Sequence, residues 1–559
     1  MWLINVHNYN LKEFLNENDL PRYAILSHTW GDREVTFAEL KSGTVTKGRG
    51  WEKIKETCRL ARSERINWAW VDTCCIDKDS SANLTESLNS MFRWYQKSTV
   101  CYVWLEDLEP ATPFHIGIAR SRWVTRGWTL QELIAPRDMV FFDAEWGFRG
   151  DKRDKCVELS AATGIPEELL RMESRISDYT VAQRMSWAAK RVMTRVEDTA
   201  YCLLGLFEVS MPLIYGEGTM AFHRLQEEIM RRDNDMTLFA WNPLKDQPTN
   251  GRHCSLLAIS PAAFLGCGNI KKWPLSVYNP DFSVTNKGLR TTGYLALGQG
   301  LQKDESRPER LDYSMRVGRI PRGSQGDEQK FMIVSIVLWK AGPDLYLRER
   351  EELLISSDEF DGVKDTVRST IYIVTKMQPP DLGVLAEIRQ GATRLIVPGS
   401  ILRRPVPESY WSYSDLLFFE QSNGLEDVHL AFVHVNVSPV VLPFVVVFVV
   451  GQGGRRRSYI FEADQDKRST RKLFSLPRAN LHVEFSEFAD AYPDLPLKDR
   501  VRINVDHIDY VVSVGFRQVL HLVFPDHPVT MHELRVRVER SRRLSDGGAS
   551  VYQSEGEDR

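Results

Sequence analysis

Side chains able to bind or transform a ligand cluster directly after two predicted β-strands. Apolar runs at 23–27 and 67–72 predict these strands, the first and second of the chain. In an open parallel sheet the ligand crevice lies outside the carboxyl ends of the strands, so we expect the residues that follow to line it. They are Ser27, His28 and Trp30 after strand one, and Asp72, Cys75 and Asp77 after strand two.

A further group comes from the helix predicted at 123–133, between strands three and four. Trp128 and Glu132 are four residues apart and share one face of that helix, and Arg126 lies in the same segment. The crevice would therefore hold carboxylates, an arginine, a histidine and indoles. Indole faces can stack on a planar base or nicotinamide ring, and a carboxylate can bind ribose hydroxyls or stabilise an oxocarbenium-like transition state.

These polar residues also have structural explanations, which the sequence leaves open. Glu132 could pair on the helix surface with Arg126 or Arg137, because structural ion pairs often resemble sites. His28 could cap the turn after strand one, and Asp72 could cap the following loop through an Asx turn. A structural and a functional role are both compatible with the spacing.

The cysteines and glycines exclude several classes of site. Cys74 or Cys75 could supply a nucleophile beside His28, but free cysteines are more often buried and inert. The eight cysteines include no pair of CxxC units, which argues against structural zinc. Neither GxGxxG nor GxxxxGKS/T follows strand one, so a Rossmann dehydrogenase or a P-loop NTPase is disfavoured. We expect no metal site and no permanently bound cofactor.

Alternating apolar and amphipathic segments position these residues. Strands three and four are predicted at 100–104 and 139–142, and helices at 51–63, 84–96 and 123–133 connect the four strands. This alternation predicts an α/β fold, a flavodoxin-like doubly wound parallel sheet.

The character of the sequence changes after this unit. We predict an α/β domain at 1–150, a helical extension at 151–241, a β-rich C-terminal region at 242–540 and a disordered tail at 541–559. Ten of the 15 tryptophans precede residue 151, as expected of a distinct N-terminal module. The apolar run 440–450 is valine-rich, contains Pro443 and is too short for a membrane span, so it predicts a buried strand.

Charge and the first residues indicate the compartment. Lysines and arginines number 72 and acidic residues 75, which leaves a net charge of -3 and no global field to attract nucleic acid or an anionic membrane. The first residues lack the basic and apolar regions of a signal peptide. We therefore expect a cytoplasmic protein with reduced cysteines, no nucleic-acid partner and no membrane span.

Six segments resemble, in order, the motifs of the fungal heterokaryon incompatibility (HET) domain and the helical extension common in such proteins. They are YAILSHTWG at 23–31, WVDTCCID at 70–77, NSMFRWY at 89–95, RWVTRGWTLQEL at 122–133, EDTAYCLLGL at 197–206 and MPLIYGE at 211–217. Several long motifs in one order are far more specific than a single short pattern.

The resemblance implies a vegetative incompatibility effector that acts in fungal non-self recognition and programmed cell death. HET domains in turn resemble Toll/interleukin receptor (TIR) domains, some of which cleave NAD+ at the nicotinamide–ribose bond with a glutamate on the helix after the third strand. By strand order this implies a TIR-like fold, Glu132 as the catalytic residue and NAD+ as the substrate. It also places loop 73–82 where TIR domains have a loop that controls access and assembly.

Two functions of different classes are compatible with these residues. In the first, the domain hydrolyses NAD+, and self-association of the HET domain covers an otherwise open crevice. In the second, it is a non-enzymatic signalling module in which Glu132 and Arg126 are interface residues and death follows from recruited partners. An incompatibility partner protein is expected in both.

Overall fold

The computed structural model describes residues 1–244 without a gap and, beyond them, a series of segments. These are 253–273, 282–299, 311–322, 331–349, 352–357, 364–376, 379–397, 400–406, 410–420, 427–437, 440–450, 455–462, 491, 498–505, 508–524 and 527–541. The predicted disordered tail, apart from Ser541, lies outside these residues.

A mixed sheet forms the centre of the N-terminal part. Its strands within residues 1–244 are β1 (Trp2–Asn5), β2 (Leu11–Glu13), β3 (Tyr23–His28), β4 (Trp68–Trp70), β5 (Val100–Trp104), β6 (Met139–Phe142) and β7 (Phe148–Asp151). They lie in the order β2-β1-β4-β3-β5-β6-β7. The four central strands are parallel and the outer ones antiparallel. All four predicted strands are present, and β3 and β5 are buried throughout because helices cover both faces.

Helices connect and cover these strands. They are α1 (Phe37–Ser42), α2 (Arg49–Ser63), α3 (Asp72–Cys75), α4 (Ser81–Lys97), α5 (Phe114–Arg120), α6 (Arg122–Thr125) and α7 (Thr129–Ile134). The predicted helices at 51–63 and 84–96 correspond to α2 and α4. In chain order the parallel centre has the arrangement 2-1-3-4, so the direction of winding reverses between β3 and β5.

The single helix predicted at 123–133 is wrong, because the structure divides it into α6 and α7. Arg126 between them is extended, with φ -76° and ψ 137°. The hydroxyl of Thr129 donates hydrogen bonds to the carbonyls of Trp123 and Arg126. The Val192 amide donates to the Thr125 carbonyl at 2.7 Å. Tertiary contacts thus occupy backbone groups that a continuous helix would pair internally.

A helical segment follows the sheet. It comprises α8 (Cys156–Thr163), α9 (Glu167–Leu170), α10 (Val181–Ala188), α11 (Asp198–Tyr201) and α12 (Met220–Arg232), with short 3-10 turns at Gly205–Phe207 and Met236–Phe239. Helix α10 ends before Val192, since residues around Val192 pair with the α6–α7 junction.

The later residues are rich in β-structure. The described strands are β8 (His253–Cys254), β9 (Phe282–Thr285), β10 (Gly288–Gln299), β11 (Leu311–Pro321), β12 (Phe331–Lys340), β13 (Leu345–Glu349), β14 (Leu354–Ser357), β15 (Lys364–Ile373), β16 (Thr393–Ile396), β17 (Ser400–Val406), β18 (Trp411–Ser412), β19 (Leu417–Phe418), β20 (Asp427–Val437), β21 (Val440–Val450), β22 (Arg456–Glu462), β23 (Arg500–Val505), β24 (Ile508–Phe524) and β25 (His527–Ser541). One helix, α13 (Pro379–Arg389), lies among them in the described segments.

The described strands of this region form three sheets. Their orders are β14-β12-β11-β10-β15-β13-β8 with β9 beside β10, then β18-β19-β16-β25-β24-β23, and β17-β20-β21-β22. The apolar run 440–450 is strand β21, as predicted, and it packs on β24 and β25. Among the described residues, no helix is both long and apolar enough to cross a membrane. The chain therefore combines a mixed α/β sheet and its helices with β-rich later regions.

Candidate functional site

A buried chain of hydrogen bonds links the end of β3 to α6 and α7. The Ser27 hydroxyl donates to Oε2 of Glu132 at 2.5 Å. It accepts a hydrogen bond from the Trp123 indole Nε1 at 2.8 Å. The break between α6 and α7 lies between Trp123 and Glu132, and both side chains reach the same serine. The structure therefore brings Ser27 and Glu132 together at the carboxyl edge of the parallel strands.

The environment of Glu132 favours its neutral form. Its side chain is only 6% exposed. Burial raises the pKa of the carboxyl from 4.5 to about 8, and the charge of Asp72 acts in the same direction. The hydrogen bond from Ser27, the charge of Arg126 and the neighbouring Tyr95 hydroxyl lower this pKa in part. At neutral pH the carboxyl is mainly protonated, and a cation placed beside it would favour ionisation.

This raised pKa predicts a pH-dependent change in stability. Glu132 binds a proton more tightly in the folded chain than in the unfolded one, so its stabilising contribution is complete below pH 4.5 and is lost as the pH rises through about 8. Glu132→Gln has no such proton to lose. Its free energy of unfolding, relative to wild type, should increase by about 2 kcal/mol between about pH 6 and pH 8.

Urea denaturation at several pH values measures this difference. The exposed Glu86→Gln on α4 is the control, and its difference from wild type should stay constant across the range. A pH-independent difference for Glu132→Gln would contradict the raised pKa.

His28 lies between two carboxylates beside the Ser27 chain. Its Nδ1 is 3.8 Å from Oδ1 of Asp72, and its Nε2 is 3.8 Å from Oε2 of Glu34. Burial alone would raise the pKa of Glu34, but the His28 ring, the Lys53 ammonium and the Gly31 amide lower it to about 2. His28 Nε2 and Asp72 Oδ1 are buried without a hydrogen-bond partner. Both ring nitrogens therefore lie near a carboxylate oxygen, at a distance that is too long for a hydrogen bond.

Trp30 forms the outer part of the same edge and is 41% exposed. Its indole Nε1 donates to Oδ2 of Asp72 at 2.7 Å. The Nζ of Lys78 lies 3.8 Å from the ring centroid, and Cζ of Arg126 lies 4.9 Å from it. The structure therefore assembles Trp30, Asp72 and Arg126 from three elements.

Three predicted site residues are placed elsewhere. The prediction that Cys75 lines the crevice is wrong, because the thiol is in the core and accepts a hydrogen bond from the Val71 amide at 3.4 Å. The Trp128 indole hydrogen-bonds the Asp198 carboxylate and none of the other predicted site residues. Asp77 accepts from the Asp79 amide at 3.2 Å in an Asx turn. Among the described residues, its carboxylate forms no hydrogen bond or ion pair with the other predicted site residues.

The geometry does not support Cys74 or Cys75 as a nucleophile beside His28. Cys74 is fully buried, and burial raises the pKa of its thiol well above the ordinary value. The thiolate needed for nucleophilic attack is therefore disfavoured. Among the described residues, no group of three or more His, Cys, Asp or Glu side chains could hold a metal ion.

Sequence reasoning missed the residue that positions the α6–α7 junction. Arg191, which follows α10, is half-buried and donates from Nη1 to the Arg126 carbonyl at 2.7 Å and to the Thr129 hydroxyl at 3.0 Å. Burial lowers the pKa of its guanidinium to about 10. No short-range pattern signals this contact, because it spans more than 60 residues of chain. The helical segment thus supports the loop that carries Arg126 and leads to Glu132.

Comparisons with known proteins agree with the motifs at 23–31, 70–77 and 89–95. Residues 23–116 match the model of the family described as Heterokaryon incompatibility protein (HET), and residues 220–302 match a domain of unknown function (DUF8212). The Vegetative incompatibility protein HET-E-1 of Podospora anserina is 44% identical over 231 residues, which are 39% of this chain and 17% of that protein. The matched part is thus less than a fifth of that relative's length. No solved structure matches. Residues 23–116 are therefore a heterokaryon incompatibility (HET) domain, and the chain is similar over 231 residues to a vegetative incompatibility protein.

Proposed function

We propose that this HET domain is an effector of non-self recognition that causes programmed cell death by hydrolysing NAD+ at the nicotinamide–ribose bond. The observation that carries the proposal is the position and environment of Glu132. It lies at the carboxyl edge of the parallel strands, bonded to the end of β3, next to the point where the winding reverses. Ligands of open α/β sheets bind at such points. The strand order 2-1-3-4 also supports a flavodoxin-like, TIR-like fold.

The chemistry requires a carboxylate that faces positive charge. Water adds to C1 of the ribose as the bond to nicotinamide breaks, and the products are ADP-ribose, nicotinamide and a proton. The pyridinium ring of NAD+ is cationic, so its approach lowers the pKa of Glu132 and favours the carboxylate. That carboxylate then stabilises the oxocarbenium-like ribose or accepts hydrogen bonds from its hydroxyls.

Self-association would complete this site, because an open crevice excludes water poorly. Trp30 and Val192 are both exposed, Val192 by 69%, and both lie beside Arg126. Exposed apolar side chains around a crevice favour contact with another copy. We propose that the HET domain self-associates through the exposed surface that contains Trp30 and Val192, with an incompatibility partner protein as the trigger.

The alternative is a signalling module without enzymatic activity. Exposed Trp30 and Val192 are suited to a contact surface. Glu132 is not, because its side chain is buried and bonded to Ser27. An adaptor would therefore use the exposed surface of Trp30 and Val192 and would not need Glu132. An enzyme would need Glu132, and this difference distinguishes the two functions.

The experiment follows NAD+ loss and nicotinamide release by the purified full chain over a wide range of protein concentration, with the oligomeric state measured in parallel. We expect equal rates of loss and release, which increase as the protein associates. Association without release at any concentration would overturn the enzymatic proposal and leave the adaptor.

A further inference from the structure

Lys78 and Arg126 differ from the neighbouring cations of the crevice in having no carboxylate partner within ion-pair distance among the described residues. Three cations of α2 and α6 are paired at this edge: Lys53 with Glu34, and Arg49 and Arg122 with Glu106. Lys78 and Arg126 instead both lie against the indole of Trp30. We call Trp30, Lys78 and Arg126 the rim cluster.

The rim cluster is built from three separate elements. Trp30 follows β3, Lys78 follows α3, and Arg126 lies at the junction of α6 and α7. Asp72 fixes the indole through its Nε1 at 2.7 Å, and Arg191 fixes the backbone of Arg126 at 2.7 Å. Two of the three parts are therefore held in place before a ligand arrives, which lowers the cost of binding.

The charge of the rim cluster is unbalanced. A cation over an exposed indole is only weakly stabilised, and two cations that share one ring repel each other. Asp72 bonds to the same indole through Oδ2, but among the described residues its only partner within ion-pair distance is His28. An anion with several acceptor oxygens, placed between the ammonium and the guanidinium, would satisfy both.

We propose that the rim cluster is the subsite for a diphosphate, the diphosphate of the dinucleotide on which the proposed function rests. The two negative charges of a diphosphate match the two cations. Lys78 and Arg126 both lie over the Trp30 ring, so phosphate groups bound by these two cations would take the place of a planar ring stacked on the indole. The cationic nicotinamide end then points inward to Glu132, so that the charges of the ligand and of the crevice are complementary from rim to base.

Calorimetric titration of the full chain with ADP-ribose and with inorganic pyrophosphate tests this subsite. Lys78→Ala and Arg126→Ala should each weaken both ligands about tenfold or more, because each removes a charge-assisted contact. Lys78→Arg should restore most of the affinity. Lys97→Ala is the matched control, because Lys97 precedes β5 and so lies at the amino ends of the parallel strands, away from the rim cluster. This substitution should leave both affinities unchanged. Binding should also weaken as salt is added.

The outcomes separate the subsite from the proposed function. ADP-ribose binding needs no bond cleavage, so binding that depends on Lys78 and Arg126 supports the subsite even if NAD+ is never hydrolysed. If NAD+ is hydrolysed but Lys78→Ala and Arg126→Ala bind both ligands with unchanged affinity, the proposed subsite is wrong and the proposed enzymatic function still holds. Failure of the wild type to bind either ADP-ribose or pyrophosphate would also overturn the subsite.

Discussion

Glu132→Gln is expected to lower the rate of nicotinamide release from NAD+ on the order of 10²–10⁴-fold. Glutamine keeps the size of the side chain and still accepts a hydrogen bond from the Ser27 hydroxyl, so the buried chain to Trp123 stays satisfied. It cannot become an anion, and the positive charge that develops on the ribose loses its stabilisation. Steady-state kinetics on the full chain should therefore show the loss in kcat as well as in kcat/KM.

The pH profile gives this prediction a signature that misfolding would not produce. Wild-type kcat/KM should rise with pH through about 8, because it reports the free enzyme, in which Glu132 is mainly protonated below that value. In kcat the rise should occur at lower pH, since bound pyridinium favours the carboxylate. Exposed Glu86→Gln should keep the wild-type profile. Turnover within a few-fold of wild type in Glu132→Gln would remove the carboxylate from the mechanism.

The central strands could be predicted because their sequences carry the signal locally. β3 and β5 are continuous apolar runs, as buried parallel strands are. The edge strands β1, β2 and β7 were not predicted, because they are only three or four residues long and are partly exposed. No local pattern distinguishes such segments from loops.

The site was predictable in outline for a different reason. Parallel strands bring their carboxyl ends to one edge, so Ser27 and Asp72 had to lie near each other whatever the details. Cys75 was misplaced because the one-turn helix α3 turns its thiol into the core. Arg191 could not be found, since its contact with Thr129 depends on how the helical segment packs against the α6–α7 junction. Side-chain direction over such short elements is decided by tertiary packing.

The largest effect expected on stability comes from Arg348 in β13. Its guanidinium is buried, stacks 3.7 Å from the Trp241 ring centroid, and donates to the carbonyls of Phe239 and Trp241 at 3.0 and 2.5 Å. Arg348→Met would remove the cation–π contact and both guanidinium hydrogen bonds, which leaves the Phe239 carbonyl with only the bond from the Trp241 amide. We expect the free energy of unfolding to fall by about 3–5 kcal/mol. Arg348→Lys keeps the charge but not the planar fork, so its loss should be smaller.

Arg348 also connects two parts of the chain. Its strand β13 belongs to a β-rich sheet, whereas Phe239 and Trp241 lie at the end of the helical segment. These two residues belong to the same apolar core as β3. Hydrogen exchange should therefore become faster at 236–241 in Arg348→Met, and the HET domain should lose stability with it. Arg389 offers a matched control, since it stacks 3.8 Å from the Trp339 centroid in a separate cluster. Arg389→Met should leave exchange at 236–241 unchanged. Equal effects of the two variants there would mean that Arg348 does not join the two parts.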